Sequence, residues 1–370
     1  MSWAEKTIGD LVELQRGHDL PDSARKPGTV PVIGSAGLTG YHNVAKSKGP
    51  GVTLGRSGAS IGKVTYVPQD FWPHNACLYV KNFKGNDPRF VAYLLRTVPL
   101  AQLNSGAAQP SLNRNFVYGV KIKFPKPTDQ MKVVDVLDKY DDLIENNKRR
   151  IELLEDSARQ LYKEWFVRLR FPGHEHVKII DGVPEGWQKK PFSSVADFLN
   201  GFAFKPSHFE EDGLPIVKIP ELKDGVSEKT PRNSGVDVPT SLHLEDGDLL
   251  FSWSGTLAVN VWASGPALLN QHLFKVKSTA ELSRSFLLVA LREAMPQFMN
   301  ETTGATMKHI RRAALDKVQV IFPREHLLSE FEDFVTNCYE QVIYLYKQNI
   351  SLTQARDILL PKLMSGEIAV

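Results

Sequence analysis

A chain of 370 residues with 42% apolar residues, 24% charged residues and a net charge of +3 can build two sizeable cores, and its composition excludes a disordered or fibrous protein. No stretch approaches the roughly 18 apolar residues of a membrane span. The start Met1-Ser2-Trp3-Ala4-Glu5-Lys6 lacks the apolar core of a secretory signal, so the expected location is the cytoplasm. Cys77 and Cys338 are the only cysteines, too few for a disulfide framework or a four-cysteine zinc site.

In chain order, the first segment (1–127) carries short apolar runs at Val30 to Ile33, Gly51 to Leu54, Lys63 to Val67 and Cys77 to Val80. Gly, Pro, Asn and Ser separate them, as expected of strands joined by loops. Phe90, Tyr93 and Leu94 predict a short helix near Asp87 to Thr97. Val117 to Phe124 reads as a closing strand. The fold class is therefore mixed α/β. Residues 1–126 sum to a charge of +9, against −1 for 127–170, −2 for 171–323 and −3 for the remainder. A first segment this basic favours a polyanion as partner.

Residues 128–170 predict one long helix. Val133, Leu137, Tyr140, Ile144, Asn147, Ile151, Leu154, Ala158, Leu161 and Trp165 recur at alternating steps of four and three, the spacing of a single buried seam. Thr128 is the expected N-cap, and Phe171-Pro172-Gly173 the stop. Such a helix reads as a spacer. The C-terminal segment (324–370) supplies a partner seam of Phe331, Val335, Cys338, Val342, Leu345, Asn349, Leu352 and Leu359. Arg356 interrupts it, and Pro361 and Ser365-Gly366 are the expected stops. Asn147 and Asn349 are either register-fixing pairs or partly solvated.

Between the helices, residues 171–323 repeat the first segment. Trp187 and Gly201 answer Trp3 and Gly17 at the same separation. Ser254-Gly255 answers Ser57-Gly58, with Asn270 and Asn75 following, and Gly304-Ala305 answers Gly106-Ala107. At an offset of 198, Ile310, Val318, Val320 and Phe322-Pro323 answer Leu112, Val120, Ile122 and Phe124-Pro125. A collinear series of this kind means a tandem duplication of one unit, a globular head followed by a long helix. Antiparallel pairing of the two helices would then relate the heads by an approximate two-fold axis.

Catalytic signatures are sparse. Ser57 to Val64 resembles a P-loop only superficially, since Ser57 replaces its first Gly and Val64 its Ser/Thr. His174-Glu175-His176 lacks further ligands at useful spacing. There is no Gly-x-Gly-x-x-Gly after a strand, no nucleophile elbow and no Asn-Pro-Pro-aromatic tetrad. The loops around the repeated landmarks instead carry groups suited to base edges and phosphates: Arg56, Ser57, Gln109, Ser111, Asn113, Arg114 and Asn115 in one head, and Ser252, Trp253, Ser254, Lys308, His309, Arg311 and Arg312 in the other. Framework positions agree between the copies and the intervening polar residues do not. That is the pattern of two heads reading different sequences.

The order head, helix, head, helix, with the closing Leu359-Leu360-Pro361-Lys362-Leu363-Met364-Ser365-Gly366-Glu367-Ile368, resembles the specificity subunit of type I DNA restriction-modification enzymes. The resemblance implies two target recognition domains separated by antiparallel coiled-coil spacers. It also implies a bipartite, asymmetric double-stranded DNA site with a gap set by the helices. Two modification subunits carrying S-adenosylmethionine for adenine N6 methylation are the implied partners, joined in some systems by restriction subunits using ATP and Mg. The chain itself is then non-catalytic, with no cofactor or metal of its own. Two other classes stay open at this point: a scaffold whose heads bind proteins and never touch DNA, and a stand-alone DNA-modifying enzyme. The second head is slightly acidic, so its DNA contacts must come from focused cations, Lys308, Arg311, Arg312 and Lys317.

Overall fold

The computed structural model describes residues 3–104, 111–279, 282–303 and 309–370. The chain forms two compact units, Met1–Leu143 with Leu352–Val370, and Ile144–Ser351. Each long helix contributes one part to each unit.

In the first unit, strands Glu13–Arg16, Cys77–Asn82, Gly51–Gly55 and Val64–Val67 form an antiparallel sheet in that order. Every residue of Gly51–Gly55 is buried, because the strand lies inside the sheet and is covered on both faces. A smaller sheet orders Gly37–His42, Val30–Gly34 and Trp72–Pro73, the last pair parallel. Helix Pro88–Arg96 follows the predicted span. Asp87 caps it by accepting from the Phe90 N–H at 2.9 Å, and its residues from Phe90 to Leu95 are buried in the core. The predicted strand after Val117 begins later. Arg114–Tyr118 is a helical turn, and only Lys121–Pro125 is extended, paired with Trp3–Thr7.

The central helix runs over Pro127–Tyr162. Lys126, not Thr128, stands at its cap, since the Lys126 carbonyl accepts from the N–H groups of Asp129 and Gln130. Pro127 thus takes the first helical position, where its missing N–H costs nothing. In this unit Val133, Val134 and Leu137 pack with Leu360, Leu363 and Met364 of the C-terminal helix, Glu325–Ser365. Tyr140, Leu352 and Leu359 are half-buried. Pro361 does not stop that helix. Burying Leu363 and Met364 beyond it offsets the one backbone bond that proline removes. The charged interruption at Arg356 is neutralised by Asp141, whose Oδ1 lies 2.6 Å from Nη1.

The second unit repeats this plan, with one strand more, His243–Leu244, in its smaller sheet. Ala196–Asn200, Leu273–Ser278, Leu249–Ser252 and Val259–Val261 form the antiparallel sheet. The smaller sheet again holds a parallel pair, Leu214–Val217 with Ala267–Leu269, and Gln188–Pro191 pairs with Gln319–Phe322. The helix Arg284–Glu293 answers Pro88–Arg96 and is capped by Ser283. The duplication is therefore structural.

Within this unit the helices run antiparallel, as Tyr162 meets Phe331 at one end and Asn147 meets Asn349 at the other. Ile144, Asn147, Ile151 and Ala158 are buried, as are Phe331, Val335, Cys338, Val342 and Leu345. Leu154, Leu161, Trp165 and Asn349 are partly buried. Asn147 is fully buried, and its Nδ2 donates to Gln348 Oε1 at 2.8 Å and Asn349 Oδ1 at 3.0 Å, so it is not solvated. Tyr162 and Phe166 are buried outside the predicted seam. The helix becomes π-helical over Lys163–Val167, and Phe166 enters a ring cluster with Trp187, Phe286 and Phe331.

Candidate nucleic-acid interface

In the first head the strand Gly51–Gly55 ends in a loop that becomes a hub. The Arg56 N–H donates to the Ala76 carbonyl at 2.9 Å, the Arg56 carbonyl accepts from Leu112 N–H at 2.8 Å, and Ser57 bridges to Ser111. Three segments distant in sequence are thus tied at one end of the sheet. Gly17 closes the cluster from the fourth side: its N–H donates to the Cys77 carbonyl, and a side chain there would overlap the His74 carbonyl oxygen. Burial pushes the Cys77 thiol up to about 12, and its Sγ donates to the His74 carbonyl at 3.1 Å, so it is a protonated packing group.

The second head makes the same bonds with different side chains. The Trp253 N–H donates to the His272 carbonyl at 3.4 Å, the Trp253 carbonyl accepts from Ile310 N–H at 2.8 Å, and Ser254 bridges to His309. Gly201 N–H donates to the Leu273 carbonyl, and a side chain at Gly201 would overlap Asn270. These bonds fix the correspondence between copies. His18 bridges to His74 as Phe202 bridges to Asn270, so Asn270 answers His74, one residue from the Asn75 expected by spacing. His272, the counterpart of Ala76, was not among the sequence candidates. It is brought in by a main-chain bond from residue 253, and the Asn75/Asn270 landmark was the sequence signal that fell in its loop.

The candidates divide by where their polar atoms go. Ser252 is fully buried and spends its hydroxyl on the Ser254 and Thr256 carbonyls, which makes it part of the turn and not of the surface. Ser254 is buried too, with its Oγ 3.0 Å from His272 Nδ1. Arg56, Ser57, Ser111, Trp253 and His309 are half-buried at the loop mouth. Asn113 caps the turn Arg114–Tyr118 through the Asn115 N–H. Arg114 is exposed, with its guanidinium 3.4 Å from the Leu14 carbonyl. Gln109, Lys308 and the Gly106-Ala107 and Gly304-Ala305 landmarks lie outside the described residues.

The cations expected in the second head differ in their partners. Arg311 and Arg312 are exposed and have no acidic partner within ion-pair distance among the described residues, whereas Lys317 is paired with Glu301 at 2.7 Å. The turn that presents them is set by the Ala314 and Leu315 N–H groups, which donate to the Arg311 and Arg312 carbonyls. Among the described residues no three His, Cys, Asp or Glu side chains are grouped to hold a metal, His174-Glu175-His176 included. No described helix is long and apolar enough to cross a membrane. What the two clusters can do chemically is present donors, acceptors and rings at a sheet end, a surface suited to base edges and phosphates.

The sequence model of the family described as type I restriction modification DNA specificity domain matches residues 1–156 and again 184–326. The MjaIX type I restriction enzyme specificity subunit of Methanocaldococcus jannaschii is 25% identical over 407 aligned residues, covering 100% of this chain and 94% of that protein. The HindI specificity subunit of Haemophilus influenzae is 23% identical over 337 residues, 73% of each chain. The crystal structure of a type I restriction-modification S subunit from M. genitalium shares the fold with a TM-score of 0.60 at 17% identity, covering 98% of this chain and 96% of that one. With the same head built twice, and each copy matched by one family, the chain belongs to the type I restriction modification DNA specificity domain family.

Proposed function

We propose that this chain is the non-catalytic DNA-reading subunit of a cytoplasmic type I restriction-modification complex. Each head reads one half of a bipartite, asymmetric site in double-stranded DNA, and the helices set the gap. The observation that carries this reading is the hub loop built twice with identical main-chain bonds and different side chains, Arg56 in one head and Trp253 in the other. A catalytic duplication would keep its reacting groups; a reading duplication keeps its frame and changes its surface. Two modification subunits supply S-adenosylmethionine and adenine N6 methylation, and restriction subunits, where present, bring ATP and Mg.

The direct test is DNA-protection footprinting and methylation mapping with and without a modification subunit. A two-part footprint that needs that subunit is the expected result; methylation or cleavage by the purified chain alone would overturn the non-catalytic role. The gap is tested separately. One heptad added to each helix, in phase, lengthens it by about 10 Å, so the preferred gap should grow by about three base pairs while both half-sites stay the same.

A further inference from the structure

Resting on the DNA-reading function, we propose that residues 56, 76 and 111 of the first head and 253, 272 and 309 of the second are homologous specificity-determining triads. The difference between Arg56, Ala76, Ser111 and Trp253, His272, His309 makes the two half-sites different. The main chain does the positioning. In each head the hub residue donates its N–H to the second member and the residue after the third member donates to the hub carbonyl. Side chains at these positions can therefore change without loosening the frame. All six are half-buried at the loop mouth.

Their immediate neighbours behave in the opposite way. Ser57 and Ser254, Leu112 and Ile310, and Cys77 and Leu273 keep small or apolar character, and Leu112, Ile310, Cys77, Leu273 and Ser254 are buried. Packing holds those positions, and the triad positions alternate with them. Chemistry then separates the two triads. Arg56 Nη1 donates to the Asn75 carbonyl at 3.4 Å, and the guanidinium has no carboxylate within ion-pair distance among the described residues, so its remaining N–H groups suit donation to a guanine O6/N7 edge. In the second triad the Trp253 ring lies 5.8 Å from His272 and 5.8 Å from His309, an aromatic face bracketed by two imidazoles.

The imidazoles are oriented for reading. The Ser254 hydroxyl 3.0 Å from Nδ1 and the Gln271 amide 3.4 Å from Nε2 fix the His272 ring, and the His309 Nδ1 is shielded from solvent with no hydrogen-bond partner among the described residues. A ring nitrogen that can donate or accept, and is left unpaired, is costly unless a ligand atom completes it. A base edge would do so once the ring turns that nitrogen toward the loop mouth.

The test uses the full chain assembled with a modification subunit, S-adenosylmethionine and a plasmid library of randomised sequence, with methylated adenines mapped by sequencing. H272A and H309A should each relax or change base preference within the second half-site and slow methylation of the native site about tenfold. The first half-site and the gap should be unchanged. The graft W253R/H272A/H309S should give the second head a new half-site, and R56A should relax a guanine in the first. Unaltered second half-site and rate in both histidine variants, or changes confined to the first half-site, would overturn the triads. If H272A does not fold, H272Q, which keeps a polar group beside Ser254, carries the same test. Failure of the wild-type complex to select any bipartite site would overturn the DNA-reading function and the triads with it.

Discussion

Arg292 holds more of the second unit together than any surface ion pair. Its Nε donates to the Val259 carbonyl at 3.0 Å, Nη2 to Glu155 at 3.0 Å and Asn260 at 2.7 Å, and Nη1 to the Tyr339 hydroxyl at 3.3 Å. Arg292→Met keeps the length but strands a carboxylate, an amide oxygen and a carbonyl. Unfolding in urea followed by tryptophan fluorescence should show a loss of about 2–3 kcal/mol. Lys121→Ala, which breaks the exposed pair with Glu5 at 3.6 Å, should change stability by less than about 1 kcal/mol. Equal effects would mean that the half-buried network contributes no more than a surface pair. Function is tested at the same scale through the cations. If Arg56 and Arg114 each meet a phosphate or base, replacing both with Ala should lower affinity and reduce the log-log salt slope by about one for each phosphate no longer neutralised. An unchanged slope and affinity would remove both from the interface.

The two long helices show what local pattern can and cannot reveal. Their seam was legible because burial of one face every three or four residues is written in adjacent sequence, and Leu137, Ala158, Phe331 and Val335 are all fully buried. The fate of Pro361 was not, because the residues that carry the helix past it, Leu363 and Met364, gain their burial from a core made of distant strands. The duplication was legible through Gly17 and Gly201, where a nearby carbonyl forbids a side chain. Sheet order was not legible. Glu13–Arg16 pairs with Cys77–Asn82 across a long loop-rich stretch that carries no local signal for that partner. His272 stayed hidden for the same reason. A seam polar group gives the prediction at this scale. Asn147 is buried with its Oδ1 unpaired among the described residues, so Asn147→Leu together with Asn349→Leu should stabilise the helix pair by about 1 kcal/mol or more while weakening its choice of register. A lower melting temperature for the double variant would show instead that the Asn147 bonds to Gln348 and Asn349 are net stabilising.

At the scale of the whole molecule, each unit borrows the end of a helix that begins in the other. The first head completes its core with Leu360, Leu363 and Met364, and the second with Tyr162 and Phe166. A fragment of residues 1–170 therefore lacks three buried side chains of its own head and exposes its seam from Val133 to Trp165. At about 1.5–3 kcal/mol for each large apolar side chain returned to water, the missing three alone cost roughly 5 kcal/mol or more, comparable with the whole stability of many domains. The fragment carries its own substitute. Tyr162 and Phe166 end the central helix as Leu359 and Leu363 end the C-terminal one, so a second copy paired antiparallel can place its helix end on the first copy's head. Sedimentation should give a dimer, and the melting temperature should rise with concentration, as it must when association supplies stability. In complex with modification subunits that dimer should methylate a symmetric site, the first half-site and its inverted repeat, because two identical heads can read only one sequence. The bulk of Phe166 where Leu363 packs is the demanding fit, and Phe166→Leu should tighten the dimer if that fit limits it. A stable folded monomer at micromolar concentration, or a dimer complex that still selects the original asymmetric site, would refute the exchange of helix ends.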